Sequence, residues 1–149
     1  MPLSVPNLEP LSVTPEQIIL SKGEEMALFH VAPNEKVSEI PIVFVHGGPG
    51  GPTTEAPLKL MKDLANDLGR DVYTYDHYSA GRSSFDNSDK DLININDEAR
   101  RLNEIIELVG TQADGTVQAT IFGHSYAGAL IGRYLACCLL YTSPSPRDS

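Results

Sequence analysis

The fold turns on one stretch, Thr116-Val-Gln-Ala-Thr-Ile-Phe122, which runs into Gly123-His-Ser-Tyr-Ala-Gly128 and then Ala129-Leu-Ile-Gly-Arg-Tyr134. The first segment is apolar and β-branched enough for a strand. The last has the composition of a helix. Between them a glycine is followed by a serine two residues later, with small residues at 127 and 128. Ser125 therefore stands at the apex of a sharp strand-to-helix turn.

Upstream, the same strand-then-helix order recurs twice. Ile40-Pro-Ile-Val-Phe-Val45 is a continuous apolar run with no polar alternation, so both of its faces should be covered. It ends in His46-Gly-Gly-Pro-Gly-Gly51. Thr53 or Thr54 can cap a following helix, with Pro57 in its first turn. Leu58, Met61, Leu64, Ala65 and Leu68 recur at helical spacing, and Gly69 is the expected stop. Asp71-Val-Tyr-Thr-Tyr75 reads as the next strand and leads into the loop Asp76-His-Tyr-Ser-Ala-Gly-Arg-Ser83. Asn94 or Asn96 can cap the next helix, whose stripe is Ala99, Leu102, Ile105, Ile106 and Val109, with Gly110 at its end. Ahead of all this, Gln17–Leu20 and Glu25–Val31 flank Ser-Lys-Gly and suggest a hairpin. Residues 1–15 are Pro-rich and aperiodic, a loosely docked arm. The fold class is α/β: a hairpin, then parallel strands alternating with helices on both faces of the sheet.

Bulk properties narrow the partners. The formal net charge is −9, which argues against nucleic acid and anionic membranes, since both require basic patches. The two cysteines, Cys137 and Cys138, are adjacent and give neither a disulfide framework nor a metal-ligand spacing. No cofactor and no metal is expected. Residues 1–13 have no cationic start and no long apolar run, so no signal peptide is read and a cytoplasmic location is the expectation. The most apolar window, 127–141, is interrupted by Arg133 and is too short to span a bilayer.

Three loops, HGGPGG, DHYSAGRSS and GHSYAG, follow three strands and so fall at the carboxyl edge, where open α/β sheets place ligands. The third resembles a nucleophile elbow, which holds a serine in a strained turn between strand and helix. Gly123 lets strand and helix approach, Ala127 stands where a second glycine is usual, and Ser125 is the candidate nucleophile. The N–H of Tyr126 opens the helix and can stabilise an oxyanion. A second backbone donor is needed, and Gly48 in the first loop is the candidate, because glycine brings the backbone close with no Cβ in the way. A plain Gly/Pro turn or a phosphate cradle are the other readings of that loop; a phosphate cradle calls for Gly-Lys-Ser/Thr, which is absent.

Taken together, HGGPGG, the Asp76…Gly81-Arg82-Ser83 loop and the serine turn resemble the proline iminopeptidase group of α/β-hydrolases, from about Gln17 to Ala136. The resemblance implies a serine aminopeptidase that takes small peptide or amide substrates and releases N-terminal residues, proline among them. It implies an oxyanion hole from Gly48 and Tyr126, in agreement with the reading above. The second loop departs from the group's Asp-Gln-x-Gly-x-Gly-x-Ser pattern at His77 and Ser79. An esterase, lactonase or amidase of the same fold, or a non-catalytic binding protein on this scaffold, is the alternative. Epoxide hydrolases and haloalkane dehalogenases of the fold use an Asp nucleophile, where this chain has Ser125.

In this fold the triad runs Ser…Asp/Glu…His, yet the four histidines, His30, His46, His77 and His124, all precede Ser125. The expectation is that residues 1–137 form the N-terminal part of one α/β-hydrolase domain and are inactive alone. Residues Cys138 to Asp148 resemble a translated sequencing adapter, so 138–149 is read as an artefactual tail.

Overall fold

The computed structural model describes residues 14–45, 55–78, 94–123 and 126–136. Strands β1 (Glu16–Ile19) and β2 (Glu25–Val31) form the hairpin, antiparallel with Ile18 opposite Met26. Then follow β3 (Ile42–Val45), helix α1 (Glu55–Leu68), β4 (Val72–Tyr75), α2 (Ile95–Gly110), β5 (Thr120–Gly123) and α3 (Tyr126–Tyr134). The sheet order is β1-β2-β4-β3-β5. β2 runs antiparallel to β4, whereas β3 is parallel to both β4 and β5.

That order explains why the apolar run at β3 never alternates. Val43 and Val45 face one core, shared with Ala99, Leu102 and Ile105 of α2 and Ala127 and Leu130 of α3. Ile42 and Phe44 face the other, shared with Leu58, Met61 and Ala65 of α1. The connection from β3 through α1 goes to one neighbour, and that from β4 through α2 crosses to the other. Crossovers of one hand in opposite directions put α1 on one face and α2 and α3 on the other. The change of direction at β3 marks its carboxyl end as the place where open α/β sheets hold a crevice for ligands.

Local signals set the helix ends. Asn94, not Asn96, caps α2: its side chain accepts from the N–H of Asp97 at 2.9 Å. Gly69 ends α1 with φ of 63°, and a Cβ there would come within 2.4 Å of Val37 Cγ2. Leu68, expected in the apolar stripe of α1, is instead 48% exposed.

Three strands begin later than their composition suggests, β4 by a single residue, at Val72. β3 starts at Ile42 because Pro41 has no N–H to give to a ladder. The carbonyls of Ile40 and Pro41 are taken by Arg70, and that of Pro41 also by Thr120 N at 2.9 Å. β5 starts at Thr120 rather than Thr116. Residues 116–118 turn back on the end of α2 instead: Gln112 N donates to Thr116 O at 2.7 Å and Gln118 N to Gly110 O at 2.9 Å.

Candidate active site

The register brings the strand ends together. Val45 lies opposite Gly123, so the chain leaves β3 and β5 side by side, about 5 Å apart. β4 ends on the other side of β3. The loop that carries Gly48 follows Val45, the one that begins at Asp76 follows Tyr75, and Ser125 comes two residues after Gly123. Gly48 and Ser125 themselves, with His46, His124, Ser79–Ser83, the arm up to residue 13 and the tail from 137, lie outside the described residues. Tyr126 is described as the first residue of α3.

Only two residues, His124 and Ser125, connect the last residue of β5 to the first of α3. So short a link requires strand and helix to approach closely, and the position where they do is Gly123. A Cβ there would meet the Cβ of Ala127 at 2.8 Å, Cδ1 of Ile131 at 3.0 Å and the carbonyl oxygen of Val45 at 3.0 Å. Ala127 is fully buried, so its methyl fills the space that a glycine would leave. Gly128, by contrast, faces open space and is not needed for the contact. The first N–H groups of α3 have no intrahelical acceptor and carry the positive end of the helix dipole. They can therefore stabilise negative charge developing at the turn.

The exit from β4 forms a second wall. Asp76 N donates to Ala27 O at 3.1 Å, and Asp76, His77 and Tyr78 are all buried. His77 stands edge-on to Tyr75, with ring centroids 5.4 Å apart. Thr74 Oγ1 donates to Phe44 O at 2.7 Å and ties β4 to β3. On the far side, Arg133 of α3 donates from Nε to Asn96 Oδ1 at 2.6 Å and fixes α3 to the start of α2.

A buried charge cluster backs this wall, and the sequence reading missed it. Glu24, in the β1–β2 turn, is buried and accepts from Arg101 Nη1 at 2.9 Å and from Arg100 Nη2. Burial works to raise the Glu24 carboxyl, but the hydrogen bonds from both guanidinium groups hold it below the ordinary carboxylate range. The signal was present: Arg101 falls on the same face of α2 as the apolar stripe, a position where a charge needs a partner.

β2 is an interior strand, and His30 stacks on Tyr73 with centroids 4.4 Å apart while its Nε2 is 2.8 Å from Asp71 Oδ1. Lys36 Nζ is 2.7 Å from Asp71 Oδ2. Burial would raise Asp71, yet hydrogen bonds from Lys36 and His30 keep it low. This group sits where β4 begins, at the opposite edge from the crevice.

Residues 40–137, more than half of the chain, match the model of the alpha/beta hydrolase fold family. The chain belongs to that family. Among solved structures, this α/β-hydrolase is similar to a proline iminopeptidase from Mycobacterium smegmatis, with a TM-score of 0.66 and 18% identity over 81% of this chain and 38% of that one. It is similar to a proline iminopeptidase-related protein from Thermus thermophilus, with a TM-score of 0.64 and 21% identity over 87% of this chain and 42% of that one. It is equally similar to the thioesterase domain from the curacin biosynthetic pathway, with a TM-score of 0.66 and 16% identity over 86% and 41% of the two chains. The chain thus spans about two fifths of the length of these structures. At such identities the likeness is one of fold. A search of curated proteins finds no match. Among the described residues, no helix is long and apolar enough to cross a membrane.

Proposed function

We propose that this α/β-hydrolase carries the nucleophile and oxyanion hole of a serine aminopeptidase, acting on small peptide or amide substrates with a free N-terminal residue such as proline. Ser125 is the nucleophile, and the N–H groups of Gly48 and Tyr126 are the oxyanion donors. Residues 1–137 are the N-terminal part of one hydrolase domain, and 138–149 are foreign to it. The observation that carries the reading is the two-residue link between β5 and α3, in register with the exit of β3. It supports a serine with backbone amides arriving from both sides.

In the reaction, Ser125 Oγ adds to the substrate carbonyl carbon and its proton passes to a base. The carbonyl oxygen takes the negative charge and is held by the two amides. The C–N bond breaks, the amine leaves with the proton, and water hydrolyses the acyl-enzyme, returning a proton to Oγ. No histidine follows Ser125 in the 149 residues, so this chain alone has a weakly activated serine.

The test uses the chain itself with a fluorophosphonate probe. Phosphonylation should be slow, confined to Ser125, faster with added imidazole as an external base, and absent in S125A. Modification spread evenly over other hydroxyl groups overturns the nucleophile assignment. Robust turnover of a proline naphthylamide by this chain would show that a base is already present. The thioesterase domain with the same TM-score motivates a second reading, an ester or thioester hydrolase. Comparing acyl transfer to Ser125 from a proline amide and from a simple acyl thioester, both with imidazole, separates the two.

A further inference from the structure

Arg101 is 1% exposed, and Ala99, Leu102, Ile105 and Ile106 around it on α2 belong to the core. A guanidinium so buried must be held by charge or by a ring. It has both. Nη1 donates to Glu24 Oε2 at 2.9 Å, and its central carbon lies 5.0 Å from the centroid of the Tyr78 ring.

The hairpin turn does not depend on Arg101 to stay on α2. Ser21 donates to Glu104 through both N and Oγ at 2.8 Å, Lys22 Nζ reaches Asp97 at 2.9 Å, and Arg100 bonds Glu24, Asp97 and Glu104. An apolar side chain in place of Arg101 would fill its space and leave Glu24 paired with Arg100 alone. What the guanidinium adds is a directed contact on one ring. Tyr78 is the third residue after β4, at the edge where the chain also leaves β3 and β5. Glu24 and the Tyr78 ring hold the same guanidinium, so fixing it through Glu24 also fixes the ring it covers.

We propose that Arg101 is a positioning residue that acts through the Tyr78 ring to set where the chain leaves β4 beside the crevice. The proposal rests on the hydrolase site argued above for its purpose, but not for its test. Hydrogen exchange by mass spectrometry is followed in peptides covering residues 72–78 and 16–31 of the full chain, for wild type, R101M, R101K, Y78F and Y78L. Exchange in 76–78 should rise on the order of tenfold in R101M and Y78L, and stay near wild type in Y78F, which keeps the ring. R101K, which keeps a cation, should recover most of the protection, whereas a purely space-filling role is met better by methionine. The hairpin peptide should change little in every variant. Unchanged exchange in 76–78 for Y78L, or R101K exchanging as fast as R101M, overturns the proposal. Should R101M fail to fold, Y78L against Y78F decides, since Glu24 and both arginines remain. Fluorophosphonate labelling of Ser125 is measured alongside: absence of labelling in wild type rejects the nucleophile and leaves the exchange result standing.

Discussion

Replacing Gly123 by alanine tests the close approach on which the active-site reading depends. The new methyl would sit 2.8 Å from Ala127 Cβ, 3.0 Å from Ile131 Cδ1 and 3.0 Å from the carbonyl oxygen of Val45. Ile131 can turn away, but the other two belong to a buried helix residue and to the backbone of a central strand. Neither can yield without moving α3 or β3. Overpacking of this kind costs about 2 kcal/mol. For a chain of this size that lowers the melting temperature by roughly 6–8 °C. Urea unfolding followed by circular dichroism measures it directly, with an unchanged slope against denaturant. Ala127→Gly alone should cost about 1–2 kcal/mol, through helix propensity and the lost methyl. In the double variant the Ala127 clash is gone, so its loss should fall short of the sum of the single losses by about 1 kcal/mol. If G123A is as stable as wild type, or if the two losses simply add, strand and helix do not meet at this point and the tight turn at Ser125 loses its support.

Other outcomes follow from single contacts. Asn94→Ala removes the acceptor of the Asp97 N–H and should cost about 1 kcal/mol by the same unfolding assay; Asn96→Ala should not disturb the helix start. Asp97 is subject to burial, which raises its pKa, but hydrogen bonds from Lys22, Asn94 and Arg100 outweigh it and bring it from 3.8 to about 2. A lowered pKa gives stability that is full above the unfolded value and lost as pH falls from about 4 to about 2. Asp97→Asn should therefore flatten part of the acid limb of a stability-against-pH curve, by roughly 1 kcal/mol after solvent screening; an unchanged limb contradicts the pairing. Among the described residues β5 pairs only with β3, and Phe122 on it is 44% exposed. The chain should self-associate as concentration rises, and Phe122→Lys should reduce this in sedimentation experiments. Sharp melting of a strictly monomeric wild-type chain would count against it.

The order of elements was legible because it rests on neighbours in sequence. The unbroken apolar run of β3 called for cover on both faces, and the two cores supply it. Glycine at 69 and an asparagine before α2 marked helix ends through backbone geometry and capping, which act over three or four residues. Strand limits were read less well, because Pro41 and the 116–118 turn answer to partners elsewhere: Thr120 and the end of α2. Of the candidate site, Ser125, Gly48 and Tyr126 were picked from loop chemistry, and the pairing of Val45 with Gly123 shows only that their loops leave adjacent strands.

Composition and periodicity by themselves determined an α/β chain with three loops at one sheet edge and a serine at a strand-to-helix turn. Tertiary structure alone decided the order β1-β2-β4-β3-β5, the stacking of His30 on Tyr73, and the meeting of Glu24, Arg101 and Tyr78. Glu24 and Arg101 are 77 positions apart along the chain. No local pattern encodes such a contact; it exists only once α2 packs against the sheet that the hairpin belongs to, where an unpaired buried charge would be too costly to keep.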